Sequence, residues 1–331
     1  MNRAIGLYAA AVTTAILVIS AGGMIGVGAL EQSIIDREAG DVRALALATE
    51  ARFSSAESLM ELVAGFPQMA RAGHVSEITA EAHGVPEDVE VEKRQAMKLV
   101  LQNPDIEAIA FLLPDGEMYV EEPFSRQMNL TRTNFAFRDY FQGAVNSSST
   151  YLGEVYVSAS SGASTSAVAV PVFSDGQLAG VVIGLMRLEN LDRFASDMFE
   201  GDDGRRFVYA DQHGHEVVYS NALASSIGNR PLAEFQPYTD ALAGESGQSV
   251  QTIDGQRMFV AYSPVKAPGT TWALLSIQPH DALFAPVDGL RNALYACIGI
   301  AAAVGAGLGP AVAKSGRASS APPGISGRRT S

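Results

Sequence analysis

The sequence predicts an α+β chain in which one long helix carries two antiparallel-sheet modules, flanked by two transmembrane helices. Three observations predict it. Two uncharged stretches, residues 4–30 and 292–313, stand near the ends of the 331-residue chain. A helical apolar period follows the first of them. Two strand-turn-strand plans then recur roughly a hundred residues apart, as duplicated modules do.

The first stretch contains Ile16, Leu17, Val18 and Ile19 and exceeds the roughly 20 apolar residues that cross a bilayer. Its length favours an anchor over a cleaved signal peptide, for which Val27-Gly28-Ala29 would be the cleavage site. From residue 31 to 64 the chain has no proline, and Val42, Leu45, Phe53, Ala56, Met60 and Val63 recur at steps of three and four, with Thr49 the polar exception. That spacing defines one apolar face on a helix about 50 Å long. Gly65-Phe66-Pro67 ends the helix. A second helical stretch is expected over 87–101, opening after Pro86 and closing at Asn103-Pro104.

The period then changes from helix to strand. Residues 106–113 read as a buried strand, Pro114-Asp115-Gly116 as a turn, and residues 117–120 as the returning strand. Residues 166–173 lead through Ser174-Asp175-Gly176 into 180–186. The plan recurs with 207–210 turning through Asp211-Gln212-His213-Gly214 into 216–219, and 258–265 turning at Pro268-Gly269 into 272–277. A Pro-Val pair, Pro171-Val172 and then Pro264-Val265, marks the third strand of each set. The domains expected are a span over 1–30, a helical region over 31–104, a distal module over 105–200, a proximal module over 201–290, a second span over 291–313 and a short disordered tail over 314–331.

Charge sets the topology. The net charge is −13, but Arg3, Lys314, Arg317, Arg328 and Arg329 are the only charges outside residues 31–291, which hold 18 basic against 36 acidic residues. Cytoplasmic flanks carry the excess of Lys and Arg, so both termini are expected inside and residues 31–291 outside the cytoplasmic membrane. So acidic an outer portion is a poor partner for nucleic acid, which binds by phosphate neutralisation. The single cysteine, Cys297, excludes an internal disulfide and any multi-cysteine zinc site.

An ordered set of residues carries a family resemblance. It comprises Phe135-Ala136-Phe137-Arg138-Asp139-Tyr140-Phe141, Gly153 to Ser158, Ala169-Val170-Pro171-Val172 and Gly180-Val181-Val182. Val208 to Gly214, Ala261 to Val265 and Trp272 complete it. Over roughly residues 31–290 this resembles a double Cache extracytoplasmic sensor domain, a PAS-like fold of prokaryotic transmembrane receptors. The resemblance implies a small-molecule ligand in the distal module, a homodimer along the 31–64 helix, and signalling by movement of that helix. It also implies a cytoplasmic output, which is missing here or lies on a separate signalling protein. The other reading is a membrane-anchored module that captures solute without signalling.

Arg138 matches the arginine of the family's Arg-x-aromatic-aromatic element, with Tyr140 and Phe141 in the aromatic places. A guanidinium can hold a carboxylate through two parallel hydrogen bonds. Tyr156 and Ser158, on the next expected strand, could add a phenol and a hydroxyl, and Tyr119 is a further candidate. Leu185 departs from the family pattern: it falls where amino-acid-binding members have an aspartate for the ammonium and dicarboxylate-binding members a lysine. A monocarboxylate or an uncharged polar metabolite is therefore expected.

No enzyme constellation is present. The serines between Ser158 and Ser166 lack a nucleophile-elbow pattern, and no phosphate-binding glycine loop occurs. His213 and His215 sit on an expected exposed turn without a third ligand in the sequence nearby. Glu121-Glu122 and Asp202-Asp203 read as solvated acidic pairs. No cofactor and no metal are expected.

Overall fold

The computed structural model describes residues 2–158, 164–199, 204–217 and 231–318. They fall into two compact units, one of Arg37–His280 and one of Met1–Asp36 with Asp281–Ser331.

One uninterrupted helix, α1 (Asn2–Ala64), supplies parts of both units. In the larger unit its periodic face is buried as the spacing requires: Val42, Leu45, Phe53, Ala56, Met60 and Val63 are each at most 1% exposed. Thr49 fits that face because its hydroxyl donates to the Leu45 carbonyl at 2.9 Å and shares a hydrogen with the Tyr209 hydroxyl at 3.2 Å. A buried polar group is tolerated only when so paired.

The second helix is shorter than the expected 87–101. Helix α2 covers Val91–Lys98, and a 3₁₀ turn follows at Val100–Gln102. Its N-terminal boundary is set by Glu90, which takes a left-handed conformation at φ 59° that a helix cannot continue through. In that position its carboxylate accepts the Tyr119 hydroxyl.

The distal sheet is built from β1 (Ile106–Leu112), β2 (Met118–Glu122), β3 (Tyr151–Leu152), β4 (Tyr156–Val157), β5 (Ser164–Ser174) and β6 (Gln177–Arg187). Helices α3 (Phe124–Met128) and α4 (Asp139–Ser147) lie between β2 and β3, and α5 (Glu189–Met198) follows β6. The strand order is β2-β1-β6-β5-β3, with β4 also pairing β5. The proximal sheet contains β7 (Arg206–Ala210), β8 (Glu216–Val217), β9 (Gly247–Ile253), β10 (Gln256–Ala267) and β11 (Thr270–Pro279), in the order β8-β7-β11-β10-β9, with α6 (Gln236–Leu242) packed on it. Both sheets thus set a first hairpin beside the last strand and run outward through the two strands before it. This shared connectivity supports the duplication suggested by the repeated Pro-Val pair. Each of those prolines sits just beyond the last residue that the outer neighbour pairs, where a missing N–H is tolerated.

The sequence reading missed β9. Its residues alternate between half-buried and exposed, and Gln248, Ser249, Gln251 and Thr252 make it a polar edge strand with no apolar run to detect. The expected strand 216–219 is described only at Glu216–Val217; its remainder lies outside the described residues, as do Ser160, Ser161, Asp202 and Asp203.

The two modules meet within the larger unit. Leu152 N–H donates to the Pro268 carbonyl at 2.8 Å, and Val155 N–H donates to Asp211 Oδ2 at 2.7 Å. At the β10–β11 turn Gly269 has φ +70°, and a Cβ there would run into the Tyr151 ring. Glycine is what lets the turn reach the distal module.

In the smaller unit, α8 (Ala285–Ala318) begins earlier and ends later than the expected 292–313. Asp288 and Arg291 form an ion pair one turn apart that favours the helical extension. Residues 314–318, read as the start of a disordered tail, are helical, and 319–331 lie outside the described residues. A one-turn helix, α7 (His280–Leu283), precedes α8. Both α1 and α8 contain segments long and apolar enough to cross a membrane.

Candidate ligand-binding site

The distal sheet and the segment around α4 line a narrow, partly open pocket. Four of the five expected ligand residues, Arg138, Tyr140, Tyr156 and Ser158, line it together. Phe141 does not line it; its ring is buried in the apolar cluster of the same module. Tyr119 points elsewhere: its hydroxyl donates to Glu90 and accepts the His74 N–H at 2.9 Å, and its ring lies edge-on to Phe111.

Local geometry explains the clustering. Arg138 is the extended residue capping α4, with φ −71° and ψ 141°, so its side chain leaves before the helical turn begins. Its guanidinium lies 4.1 Å above the Tyr156 ring and 5.1 Å from that of Phe137. Such stacking fixes the orientation of a cation without using its hydrogen-bond donors. Arg138 Nε is buried and donates to nothing among the described residues, and the side chain forms no ion pair with the neighbouring Asp139. Tyr140 follows as the first buried residue of α4, its ring 5.7 Å from that of Tyr156. Burial raises both phenols above the usual tyrosine range, so they remain neutral hydrogen-bonding groups.

One acidic residue of the pocket wall escaped the sequence reading. Glu121 lines the void, and with Glu122 it was read as a solvated pair; both are 2% exposed. Glu122 is neutralised by Arg94 at 2.8 Å and Lys98 at 3.5 Å. Glu121 has less: Oε1 meets Arg126 Nε at 3.4 Å, while Oε2 is buried without a hydrogen-bond partner among the described residues. Arg126 is shared, also reaching Glu107 at 3.1 Å and Ser158 Oγ at 3.3 Å. Burial, only partly offset by Arg126, pushes the Glu121 carboxyl up to about 7. The signal for burial was weak in the sequence because a strand end ordinarily exposes its charges. What buries Glu121 is register: Ala110 of β1 pairs with Glu121 on one side and Ile183 of β6 on the other, placing all three in one row across the sheet. Leu185 lies in the neighbouring row opposite Ala108 and presents an apolar wall to the void.

His213 and His215 do not share one centre. His215 Nδ1 lies 3.0 Å from Asp211 Oδ2 and 3.7 Å from Glu154. His213 is exposed and brings a ring nitrogen within 4.8 Å of carboxylate oxygens of Asp139 and Glu154. Three separate chain segments supply that junction, which is why the sequence pattern did not show it.

This fold and this pocket define a class: two PAS-like sheets strung on one long helix, with a small pocket of apolar and polar side chains in the distal one. Residues 27–287 match the family model described as a Cache domain, of the double Cache type, and the chain belongs to that family. Solved structures share the fold. The ligand-binding domain of the Pseudomonas aeruginosa amino acid chemoreceptor PctB with L-Arg is 18% identical, with TM-score 0.57, covering 77% of this chain and 98% of that one. The periplasmic sensory domain of the Campylobacter jejuni chemoreceptor Tlp1 is 15% identical, with TM-score 0.57 and the same coverages of 77% and 98%. The ligand-binding domain of the Pseudomonas fluorescens chemoreceptor CtaA with L-isoleucine is 18% identical, with TM-score 0.55, covering 78% and 97%. At such identities the likeness is one of fold.

Proposed function

We propose that this chain is a two-pass membrane sensor whose distal module binds a small carboxylate-bearing solute. The observation that carries this reading is Arg138, a cation stacked on Tyr156 at the pocket wall, whose buried Nε has no partner among the described residues. A buried donor without a partner is unfavourable until a ligand supplies one. Tyr140, Tyr156 and Ser158 add hydroxyls at the same wall. The arginine and isoleucine named with two of the similar structures both contain a carboxylate, which fits the same grip. Residues 31–291 face outward and both termini lie in the cytoplasm, in keeping with the basic flanks. Bound and free states differ in how the distal module holds α1, and a cytoplasmic signalling partner reads that helix through the membrane.

Calorimetric titration of the full chain in detergent tests the site, with a panel of short carboxylates and amino acids as probes. Arg138→Ala should weaken any carboxylate that binds by roughly a hundredfold, the effect of removing a charged hydrogen-bonding partner of about 3 kcal/mol. Arg138→Lys should recover only part of it, because an ammonium cannot form the paired geometry. Binding that survives both substitutions would remove Arg138 from the site.

A further inference from the structure

We infer that Asp139, Glu154 and His213 form a binding site for a divalent transition-metal ion of the zinc type, which clips the proximal module to the distal one. Each residue offers one ligand atom, an imidazole nitrogen or a carboxylate oxygen, and these atoms all lie within 4.8 Å of one another. The site is separate from the pocket of the distal sheet, whose wall includes none of the three.

The trio comes from distant parts of the chain and is assembled by definite contacts. Asp139 is the first residue of α4. Glu154 follows β3, and its N–H donates to Asp139 Oδ2 at 2.6 Å. Gly153 permits that approach, since a Cβ there would stand 2.7 Å from Tyr140 Cβ and 2.9 Å from Asp139 Oδ1. His213 lies in the turn between β7 and β8, and its N–H donates to Asp211 Oδ1 at 2.8 Å. Asp211 is fully buried, and its other carboxylate oxygen accepts the Val155 N–H at 2.7 Å. One carboxylate thus holds the His213 turn against the Glu154 segment, as outer groups do when they orient the ligands of a metal.

A second observation calls for a cation. Asp139 Oδ1 and Gln212 Oε1 are buried without a hydrogen-bond donor among the described residues. Gln212 stands beside the trio, its amide nitrogen 3.3 Å from Asp139 Oδ2. The junction therefore holds more acceptors than donors, and buried acceptors without partners are unfavourable. The neighbouring His215 does not restore the balance: its Nδ1 lies 3.0 Å from Asp211 and 3.7 Å from Glu154.

The imidazole decides which dication fits. Calcium and magnesium take oxygen ligands, whereas mixed sets of imidazole and carboxylate suit zinc and its neighbours. Metal bonds of about 2.0–2.2 Å draw the three side chains together, and the exposed His213 has room to move. Three protein ligands leave a further coordination position for water.

Calorimetric titration of the full chain, without a histidine tag and in detergent, tests the site with zinc chloride. One ion per chain should bind, and calcium chloride at the same concentration should not displace it. His213→Ala, a change at an exposed side chain, should weaken zinc by roughly tenfold or more, and Glu154→Gln should do the same. His74→Ala removes another exposed imidazole, one paired with Glu77, and should leave the affinity unchanged. Cobalt chloride in place of zinc should give visible absorption bands that His213→Ala loses. Zinc at about a hundredfold excess over its Kd should raise the unfolding temperature by about 5 °C or more, because only the folded chain assembles the trio. No zinc binding, or binding that survives both His213→Ala and Glu154→Gln, would overturn the proposal. Loss of binding in His74→Ala would do likewise, by placing the ion at His74 and Glu77. Calcium bound as tightly as zinc would overturn the assignment of the ion.

Discussion

Glu121 gives up nearly all of its hydration and keeps one shared arginine in exchange. Burial favours the neutral acid, so between the ordinary carboxylate range and about pH 7 the folded chain holds a proton that the unfolded chain has released. Stability therefore falls as pH rises through that window, the opposite of the behaviour of a salt-bridged carboxylate. Glu121→Gln lacks this term. Its stability relative to wild type should improve by about 3 kcal/mol, as an order of magnitude, between about pH 4 and pH 8. Paired urea unfolding curves at the two pH values would show it, and a constant difference would mean that Glu121 is solvated in the folded protein. Arg138 is the milder counterpart, since stacking on Tyr156 offsets part of its desolvation.

At the level of elements, α1 is held along its length in the larger unit by contacts of different kinds. Phe53 meets Trp272 edge-on at 5.4 Å, Arg52 pairs with Asp105, and Arg205 pairs with Glu38 and Asp41 at 3.1 Å each. A ligand-driven change in either sheet thus has several rigid connections to one helix, which is the physical requirement for coupling. Phe53→Ala should destabilise the chain by about 3–5 kcal/mol, because both Phe53 and Trp272 are fully buried and leave a cavity. Leu47→Ala, at a position 65% exposed on the same helix, should stay within about 0.5 kcal/mol. Thermal unfolding of the two variants checks the pair, and equal losses would show that α1 packs through a different face. The periodic face of α1 was legible because six apolar residues share it at regular spacing. The boundaries of α2 were not, because a left-handed Glu90 held by Tyr119 is a tertiary decision that no local pattern announces.

For the whole molecule, that same burial bears on assembly. The apolar face of α1 is used up inside the chain, so the homodimer expected along this helix must use what remains outside. Ala44, Leu47, Ala51, Ser54, Ser58 and Leu62 are exposed and recur at steps of three and four. Small and apolar residues in such a stripe permit close helix approach. With Cys297 replaced by Ser, Leu47→Cys and Ser54→Cys should give symmetric disulfide cross-links in membranes, whereas Glu57→Cys, turned about 100° from the middle of the stripe, should give few. Equal cross-linking at all three positions would exclude a defined α1 seam.

The sequence by itself determined the two apolar spans, the buried face of α1, the first hairpin of each module and their repetition, because each is written in residues close together along the chain. It also marked Arg138, Tyr140, Tyr156 and Ser158 through their resemblance to a family pattern. Only the tertiary structure decided that these four meet at one void, that Phe141 packs away from it, and that Glu121 joins them. The reason is register. Which side chains share a row is set by pairing among β2, β1 and β6, the last lying more than fifty residues beyond the β1–β2 hairpin, and that pairing buries an acid that looked solvated in the sequence.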